Sequence, residues 1–189
     1  MTRFSVVHEQ KLHLFIVTPD LGYFAHVHPE QRDDGGFVLQ HALPAGEYMV
    51  VADFLPEGGT SQMVQKAIIV MGTPSTPPET AGAEGLRVQM KTQDLGAGKH
   101  ACLTFTVTDA RSGQPVTDLQ PYLGAPAHLF MIRGDLRDAV HVHPEDRVAA
   151  GPTVAFHPLI PAPGRYKVWV QFQRGGRIST TAFEFTVDP

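Results

Sequence analysis

Apolar and polar side chains alternate along most of this chain, in short runs separated by turn-forming residues. A period of two is typical of half-buried β-strands, and no stretch keeps a helical period. In the first part of the chain, the runs predict strands at 11–18, 23–28, 37–43, 46–54 and 61–71. In the second part, they predict strands at 86–91, 101–109, 127–133, 138–143, 153–160, 164–173 and 177–187. We therefore expect an all-β protein.

Two of the predicted strands carry an apolar residue at every second position. These residues form a predicted core face: Tyr48, Val50, Ala52 and Phe54 in one strand, and Tyr166, Val168, Val170 and Phe172 in the other. Trp169 is out of phase with this face, so we expect it to cover an outer face or to meet the other domain. Many short strands joined by turns indicate antiparallel Greek-key sandwiches of the immunoglobulin or cupredoxin kind.

One stretch of the chain occurs twice. Residues 13–30 read HLFIVTPDLGYFAHVHPE and residues 128–145 read HLFMIRGDLRDAVHVHPE, with ten of eighteen positions identical and no gap. Six of the ten histidines lie inside these two copies. Core positions of duplicated domains usually drift among apolar types, whereas these imidazoles keep both their identity and their spacing. The repeat predicts two tandem domains, and its His-x12-His-x-His-Pro-Glu pattern is the functional hypothesis.

The two copies differ in length. Predicted strands in 85–91 and 100–116 precede the repeat in the second copy, and nothing before residue 2 can supply their equivalents in the first. We therefore predict an incomplete sandwich over 1–71 that lacks about two N-terminal strands, a linker over 72–84 and a complete seven-stranded sandwich over 85–189. We favour a missing upstream segment, which would also carry an export signal. The alternatives are a misplaced start codon and a second chain that completes the sheet, as in a dimer.

The spacing of the histidines fits one face of a β-hairpin. If the strands at 11–18 and 23–28 pair so that opposed residue numbers sum to 41 or to 39, then His13, His26 and His28 share a face. An even sum would put His13 on the other face. The same arithmetic applies to the second set, which is His128, His141 and His143. Clustered neutral imidazoles suit Cu(II), Zn(II) and Ni(II), and the affinity order favours copper.

Two further pairs of residues are candidate ligands. One or two inserted residues before Gly164 would align His41 with His157. An odd register between the predicted strands at 23–28 and 37–43 would then place His41 on the histidine face, so the two residues are candidates for a fourth histidine in each site. Glu30 and Glu145 are candidates for an oxygen ligand or for an acceptor that orients an imidazole. The alternative for the repeated histidines and for these two pairs is that they are ordinary polar residues of a sheet face and its loops, without a binding role. His8 and His100 have no histidine counterpart in the other copy and are interpreted as incidental.

Composition narrows the functional classes. The net charge of −4 and the lack of a basic run exclude a nucleic-acid partner. The single cysteine, Cys102, excludes an internal disulfide and a cysteine-rich metal site. No apolar run reaches the length of a membrane span, and the first ten residues lack the apolar core of a signal peptide. Because no nucleophile elbow, P-loop, dinucleotide fingerprint or HExxH motif is present, we predict that the protein is not an enzyme.

The segments HLFIVTPDLGYFAHVHPE, YLGAPAHLFMIRGDLRDAVHVHPE and PGRYKVWVQFQRGG resemble a family of bacterial exported proteins, the YtkA/FixH-like immunoglobulin-type sandwiches. The resemblance covers most of both copies. It implies an extracytoplasmic β-sandwich, periplasmic or at the cell surface, that is associated with copper handling in the manner of CopC-like carriers. The sequence departs from CopC-like carriers because it lacks a methionine-rich loop and an N-terminal histidine, so the identity and oxidation state of the metal stay open.

Two functional hypotheses follow from these observations. In the first, the protein is a non-catalytic extracytoplasmic module that binds a metal ion, copper or alternatively zinc, through three or four histidines in each copy. In the second, the histidine face binds another periplasmic or membrane protein and takes up no metal. Alanine at His26 and His28 separates the two hypotheses, because only the first predicts a loss of metal uptake.

Overall fold

The structure, a computed structural model, describes residues 3–73, 82–83, 85–144 and 151–189. The chain forms two compact units, Met1–Thr80 and Ala81–Pro189. In the described residues every regular element is a β-strand and every strand pairing is antiparallel, which confirms the all-β prediction. Within the described ranges there is no helix long and apolar enough to cross a membrane. Most of the predicted linker lies outside the described residues.

The described part of the first unit forms seven strands. They are β1 (Phe4–Ser5), β2 (Leu12–Val17), β3 (Phe24–Val27), β4 (Glu30–Gln31), β5 (Phe37–Val38), β6 (Gly46–Pro56) and β7 (Gln62–Val70). Five of them form one sheet in the order β1-β6-β2-β3, with β7 also paired to β6, while β4 and β5 form a separate ribbon. The strand predicted at 37–43 is therefore wrong beyond Val38.

The described residues of the second unit also form seven strands. They are β8 (Leu86–Gln93), β9 (Cys102–Asp109), β10 (His128–Arg133), β11 (Ala139–Val142), β12 (Thr153–Phe156), β13 (Gly164–Arg174) and β14 (Arg177–Val187). The predicted strand at 153–160 stops at Phe156, shortly before Pro158, which has no N–H group to donate to a ladder. Gly175 and Gly176 have φ angles of 57° and 73°, so they form the predicted tight turn between β13 and β14.

Two sheets of the second unit share one core. One sheet has the order β11-β10-β13-β14 and the other has the order β12-β9-β8. Leu129, Val168 and Val170 from the first sheet and Leu103 and Phe105 from the second are all completely buried in the same cluster. Burial of apolar side chains from both sheets is what holds a β-sandwich together. The core face predicted from Tyr166 to Phe172 is confirmed.

The equivalent face of the first unit is less well covered. Ile16, Tyr23 and Tyr48 are buried there, but their apolar neighbours Leu14 and Val50 are only partly buried. The described residues of this unit contain no counterpart of the β12-β9-β8 sheet. Because hydrophobic stabilisation scales with the apolar area removed from water, this unit gains less from its sheet face than the second unit does.

Trp169 lies on the opposite side of β13 from the shared core. Its side chain is almost completely buried, and its ring stacks on Phe130 at a centroid distance of 6.1 Å. These two residues are Cα partners across β10 and β13. The sheet of the second unit therefore carries bulky buried side chains on both faces, and the second of these faces is the one that bears the histidines.

Candidate metal centre

A hairpin register brings the repeated histidines to one face. In the β2–β3 pair Leu14 lies opposite Val27 and Phe15 lies opposite His26, which is the register whose residue numbers sum to 41. The β10–β11 pair repeats this register, with Phe130 opposite His141. Of the two registers expected from the sequence, the structure has the one that sets the first histidine opposite the third. The alternating direction of side chains then places each set of three on one face.

The first histidine triad is His13, His26 and His28, whose ring nitrogens converge. His13 Nδ1 lies 3.0 Å from His26 Nε2 and 3.2 Å from His28 Nε2, and the two Nε2 atoms lie 3.2 Å from each other. The ring of His26 stacks on Phe15 at a centroid distance of 4.5 Å, which restricts its orientation. Three nitrogen atoms therefore form a nearly equilateral triangle.

The second histidine triad is His128, His141 and His143, and it repeats this arrangement. His143 Nε2 lies 2.9 Å from His128 Nδ1, and one nitrogen from each of the three rings lies within 4.8 Å of the other two. The His141 and His143 rings are 4.3 Å apart between centroids. The same three sequence positions thus converge independently in two compact units.

The triangle has the dimensions of three corners of a metal coordination tetrahedron. At typical zinc–imidazole distances of about 2.0–2.1 Å, tetrahedral ligand nitrogens are about 3.3–3.4 Å apart. The nitrogens of the first triad are 3.0–3.2 Å apart, which corresponds to a nitrogen–metal–nitrogen angle of roughly 100°. Three mutually adjacent nitrogens cannot all be satisfied by hydrogen bonds among themselves, whereas one cation accepts all three lone pairs. A tetrahedral ion held by the three nitrogens would have a fourth coordination position for a further ligand.

The outer nitrogen of the first histidine in each triad is held by a backbone carbonyl. The Nε2–H group of His13 donates to the Val7 carbonyl at 3.0 Å, and that of His128 donates to the Tyr122 carbonyl at 2.8 Å. A proton on Nε2 leaves the lone pair on Nδ1, which is the atom that faces the other two rings. Such an outer hydrogen bond fixes the tautomer and the orientation of a metal-binding imidazole.

The two carbonyls belong to two matching tight turns. Val7 pairs with Gln10 through hydrogen bonds of 2.8 Å and 3.1 Å, and Tyr122 pairs with Ala125 with the same two distances. The residues inside the turns have positive φ angles: His8 (48°), Glu9 (65°), Leu123 (48°) and Gly124 (67°). Residues other than glycine are strained in this conformation, and strain of this kind concentrates at functional sites. Neither turn was predicted from the sequence, because every residue type has a backbone carbonyl and nothing in the residue types marks these two as hydrogen-bond acceptors.

Burial favours the neutral form of two histidines of the first triad, His13 and His28. His13 and His128 are buried, with exposed fractions of 2% and 1%. Burial lowers the pKa of His13, although the hydrogen bond to the Val7 carbonyl and the charge of Asp53 oppose this. Burial, and then the proximity of His13, lower the pKa of His28 to about 4. Neutral imidazole is the form that binds a metal ion, so His13 and His28 are shifted towards their binding form.

The structure does not bring His41 and His157 into either triad. His41 is exposed and its Nε2 lies 2.8 Å from the Tyr23 hydroxyl, while the side chain of His157 is exposed and its carbonyl accepts a hydrogen bond from His100 Nδ1 at 3.0 Å. Glu30 is exposed in the β4–β5 ribbon, and Glu145 lies outside the described residues.

The second copy has more extra residues between its triad and Tyr166 than the sequence alignment assumed. Tyr48 and Tyr166 are structurally equivalent, since each donates its hydroxyl to a carbonyl four residues upstream at 2.8 Å. Their offset is 118 (166 − 48), compared with 115 for the triads (128 − 13), so three residues are inserted rather than one or two. The triads are consequently the only three-histidine groups that the two repeats share within the described residues.

Comparisons with known proteins identify a family but no activity. No curated protein matches the sequence. Among solved structures, the chain is similar to the PKD domain of the human VPS10 domain-containing receptor SorCS2, with 11% identity and a TM-score of 0.30 over 62% of this chain and 84% of that one. Residues 80–189, more than half of the chain, match a family described as a domain of unknown function. The chain therefore belongs to the DUF8832 family.

Proposed function

We propose that each histidine triad binds one divalent transition-metal ion. Copper is the preferred assignment and zinc is the alternative. The observation that carries this proposal is the convergence of three imidazole nitrogens at the same positions of both units. In the first triad the nitrogens are 3.0–3.2 Å apart, and the first histidine of each triad presents Nδ1 because its Nε2–H group is held by a carbonyl. Imidazole suits both metals, and the general affinity order favours copper.

We further propose that the protein is a carrier or store of the ion rather than an enzyme, and that it works outside the cytoplasm. The resemblance to exported immunoglobulin-type sandwiches of poorly defined function, which are loosely associated with copper handling, supports both parts of this proposal. Three ligands with an open fourth position suit transfer of an ion, because an incoming ligand can attach before the others leave. Cell fractionation tests the location. Metal-loaded protein is expected to show only background rates of ester hydrolysis and superoxide dismutation.

Calorimetric titration of the metal-stripped chain with Cu(II) and with Zn(II) tests the binding proposal. We expect two equivalents at micromolar affinity or better. The double variant H26A/H28A should lose one equivalent, and H141A/H143A should lose the other.

The matched control for this titration is H41A/H157A, which removes two exposed histidines outside the triads. It should keep both equivalents. Loss of metal binding in this control, or a wild-type chain that binds no more metal than a surface-histidine background, would contradict the proposal. The second result would favour the rival hypothesis that the histidine face binds a partner protein.

A further inference from the structure

The two triads have different neighbours on the side away from the hairpin partner. His13 on β2 is the Cα partner of Asp53 on β6, and His128 on β10 is the Cα partner of Gln171 on β13. Opposed residues of an antiparallel pair point to the same face, so each of these side chains lies beside the first histidine of its triad. The first unit has an acid where the second has a neutral amide.

Asp53 is placed to act as a charge close to the first triad. It is partly buried and accepts a hydrogen bond from the Ser61 hydroxyl at 3.2 Å. Burial raises the pKa of its carboxyl group, while the interaction with His13 lowers it, so the two side chains interact electrostatically. A divalent cation held by His13 would favour the ionised carboxylate further.

Gln171 cannot act in this way. Its side chain is buried, and its amide Nε2 donates to the Thr180 hydroxyl at 3.1 Å within the sheet. The two centres also differ at one position of the turn that holds the first histidine. His8 interacts electrostatically with both His13 and Asp53, whereas the equivalent turn residue in the second unit is Leu123. At these two positions the first centre has a carboxylate and an imidazole, where the second has a neutral amide and a leucine.

We propose that the two centres are not equivalent, and that Asp53 makes the first triad the tighter site for a divalent cation. This inference rests on the proposed function. Asp53 acts through its charge and is not a ligand, because β6 and β3 flank β2 on opposite sides and the His13 nitrogen that faces the triad points towards β3. The ion would lie about one and a half strand spacings from β6, which is roughly 7 Å.

The size of the effect follows from Coulomb's law. One carboxylate and one dication at roughly 7 Å in a medium as polar as water give about a sevenfold gain in affinity, and the lower effective dielectric of a partly buried site gives more. We expect the first site to bind at least about tenfold more tightly than the second. At low occupancy the first unit would therefore hold the metal, and the second unit would fill only as the supply rises.

Zn(II) affinities of the two isolated sites test this inference, measured on the full chain by competition with a chelator. H141A/H143A leaves only the first site, and H26A/H28A leaves only the second. In the first background, D53N should lower the affinity about tenfold to the level of the second site, and D53E should retain it because the charge is kept. In the second background, Q171E should raise the affinity. Higher salt should narrow the difference between the sites.

The outcomes separate the inference from the proposed function. Equal affinity of the two isolated sites, or an unchanged affinity in D53N, overturns the inference and leaves metal binding intact. A loss in D53E as large as that in D53N also overturns it, since geometry rather than charge would then matter. Absence of Zn(II) binding in both backgrounds overturns the proposed function and this inference with it. Thermal unfolding of each metal-free variant identifies any that fails to fold, and Q171E then still tests the charge effect from the other unit.

Discussion

Replacing His13 by alanine should weaken metal binding and also destabilise the metal-free protein. The imidazole is 2% exposed, and its Nε2–H group is a donor to the Val7 carbonyl. Its removal takes away one of two donors to that carbonyl, which still accepts from the Gln10 N–H group, and such a hydrogen bond contributes about 0.5–1.5 kcal/mol. The space left by a buried ring adds to this cost. We expect the free energy of unfolding to fall by about 2–4 kcal/mol in total.

His28 is the matched comparison because it belongs to the same triad but is only partly buried. Its Nε2 atom lies 3.2 Å from a ring nitrogen of each of the other two triad histidines. H28A should therefore lose the metal as completely as H13A, but should change the stability of the metal-free chain by less than about 1 kcal/mol. The second unit should repeat the contrast, with H128A destabilising and H143A close to neutral.

Urea unfolding of chelator-treated protein measures these differences, and calorimetry on the same samples measures metal binding. The two readouts separate the ligand role of a histidine from its structural role. Equal destabilisation by H13A and H28A would refute the reasoning that the carbonyl hydrogen bond orients and anchors the first histidine. Wild-type metal affinity in H13A would refute its assignment as a ligand.

Three other predictions can be checked with the same material. L129A should destabilise by about 2–5 kcal/mol and L14A by clearly less, because Leu129 is fully buried and Leu14 is not; urea midpoints decide this. Because the pKa of His28 is lowered to about 4, the unfolded chain takes up its proton first as pH falls; metal-free stability should decline between about pH 6.5 and 4, and this decline should be shallower in H28A. Zn(II) at one hundred times its dissociation constant should raise the stability of a unit by about 2.7 kcal/mol, a shift that chelator reverses in thermal scans.

The triads could be predicted from the sequence because strand geometry constrains them strongly. Alternation and an odd register sum suffice to place His13, His26 and His28 on one face. The sequence could not choose between sums of 41 and 39, because the choice depends on a turn in which Leu21 takes a φ of 58°. Leucine gives no signal for that conformation, which glycine or asparagine would have given.

Three other features of the site were not predictable from the sequence, and each has a physical reason. The Val7 and Tyr122 carbonyls accept hydrogen bonds from the first histidine of each triad. They are backbone atoms placed by turns that the residue types at these positions do not predict. His41 was placed by extending a strand beyond Val38, where the pairing ends. His8 looked incidental because the other copy has Leu123 at that position. The charge of His8 nevertheless contributes to the lowered pKa of His13, so a difference between the repeats can be as informative as their identity.

The most direct test of the central claim is a crystal structure of the zinc-loaded protein with anomalous diffraction data collected at the zinc edge. We expect two anomalous peaks, one in each unit. Each peak should lie about 2.0–2.1 Å from three histidine nitrogens, which in the first unit are His13 Nδ1, His26 Nε2 and His28 Nε2. Peaks only at exposed residues such as His41 or His157, or no peak at either triad under saturating zinc, would contradict this claim.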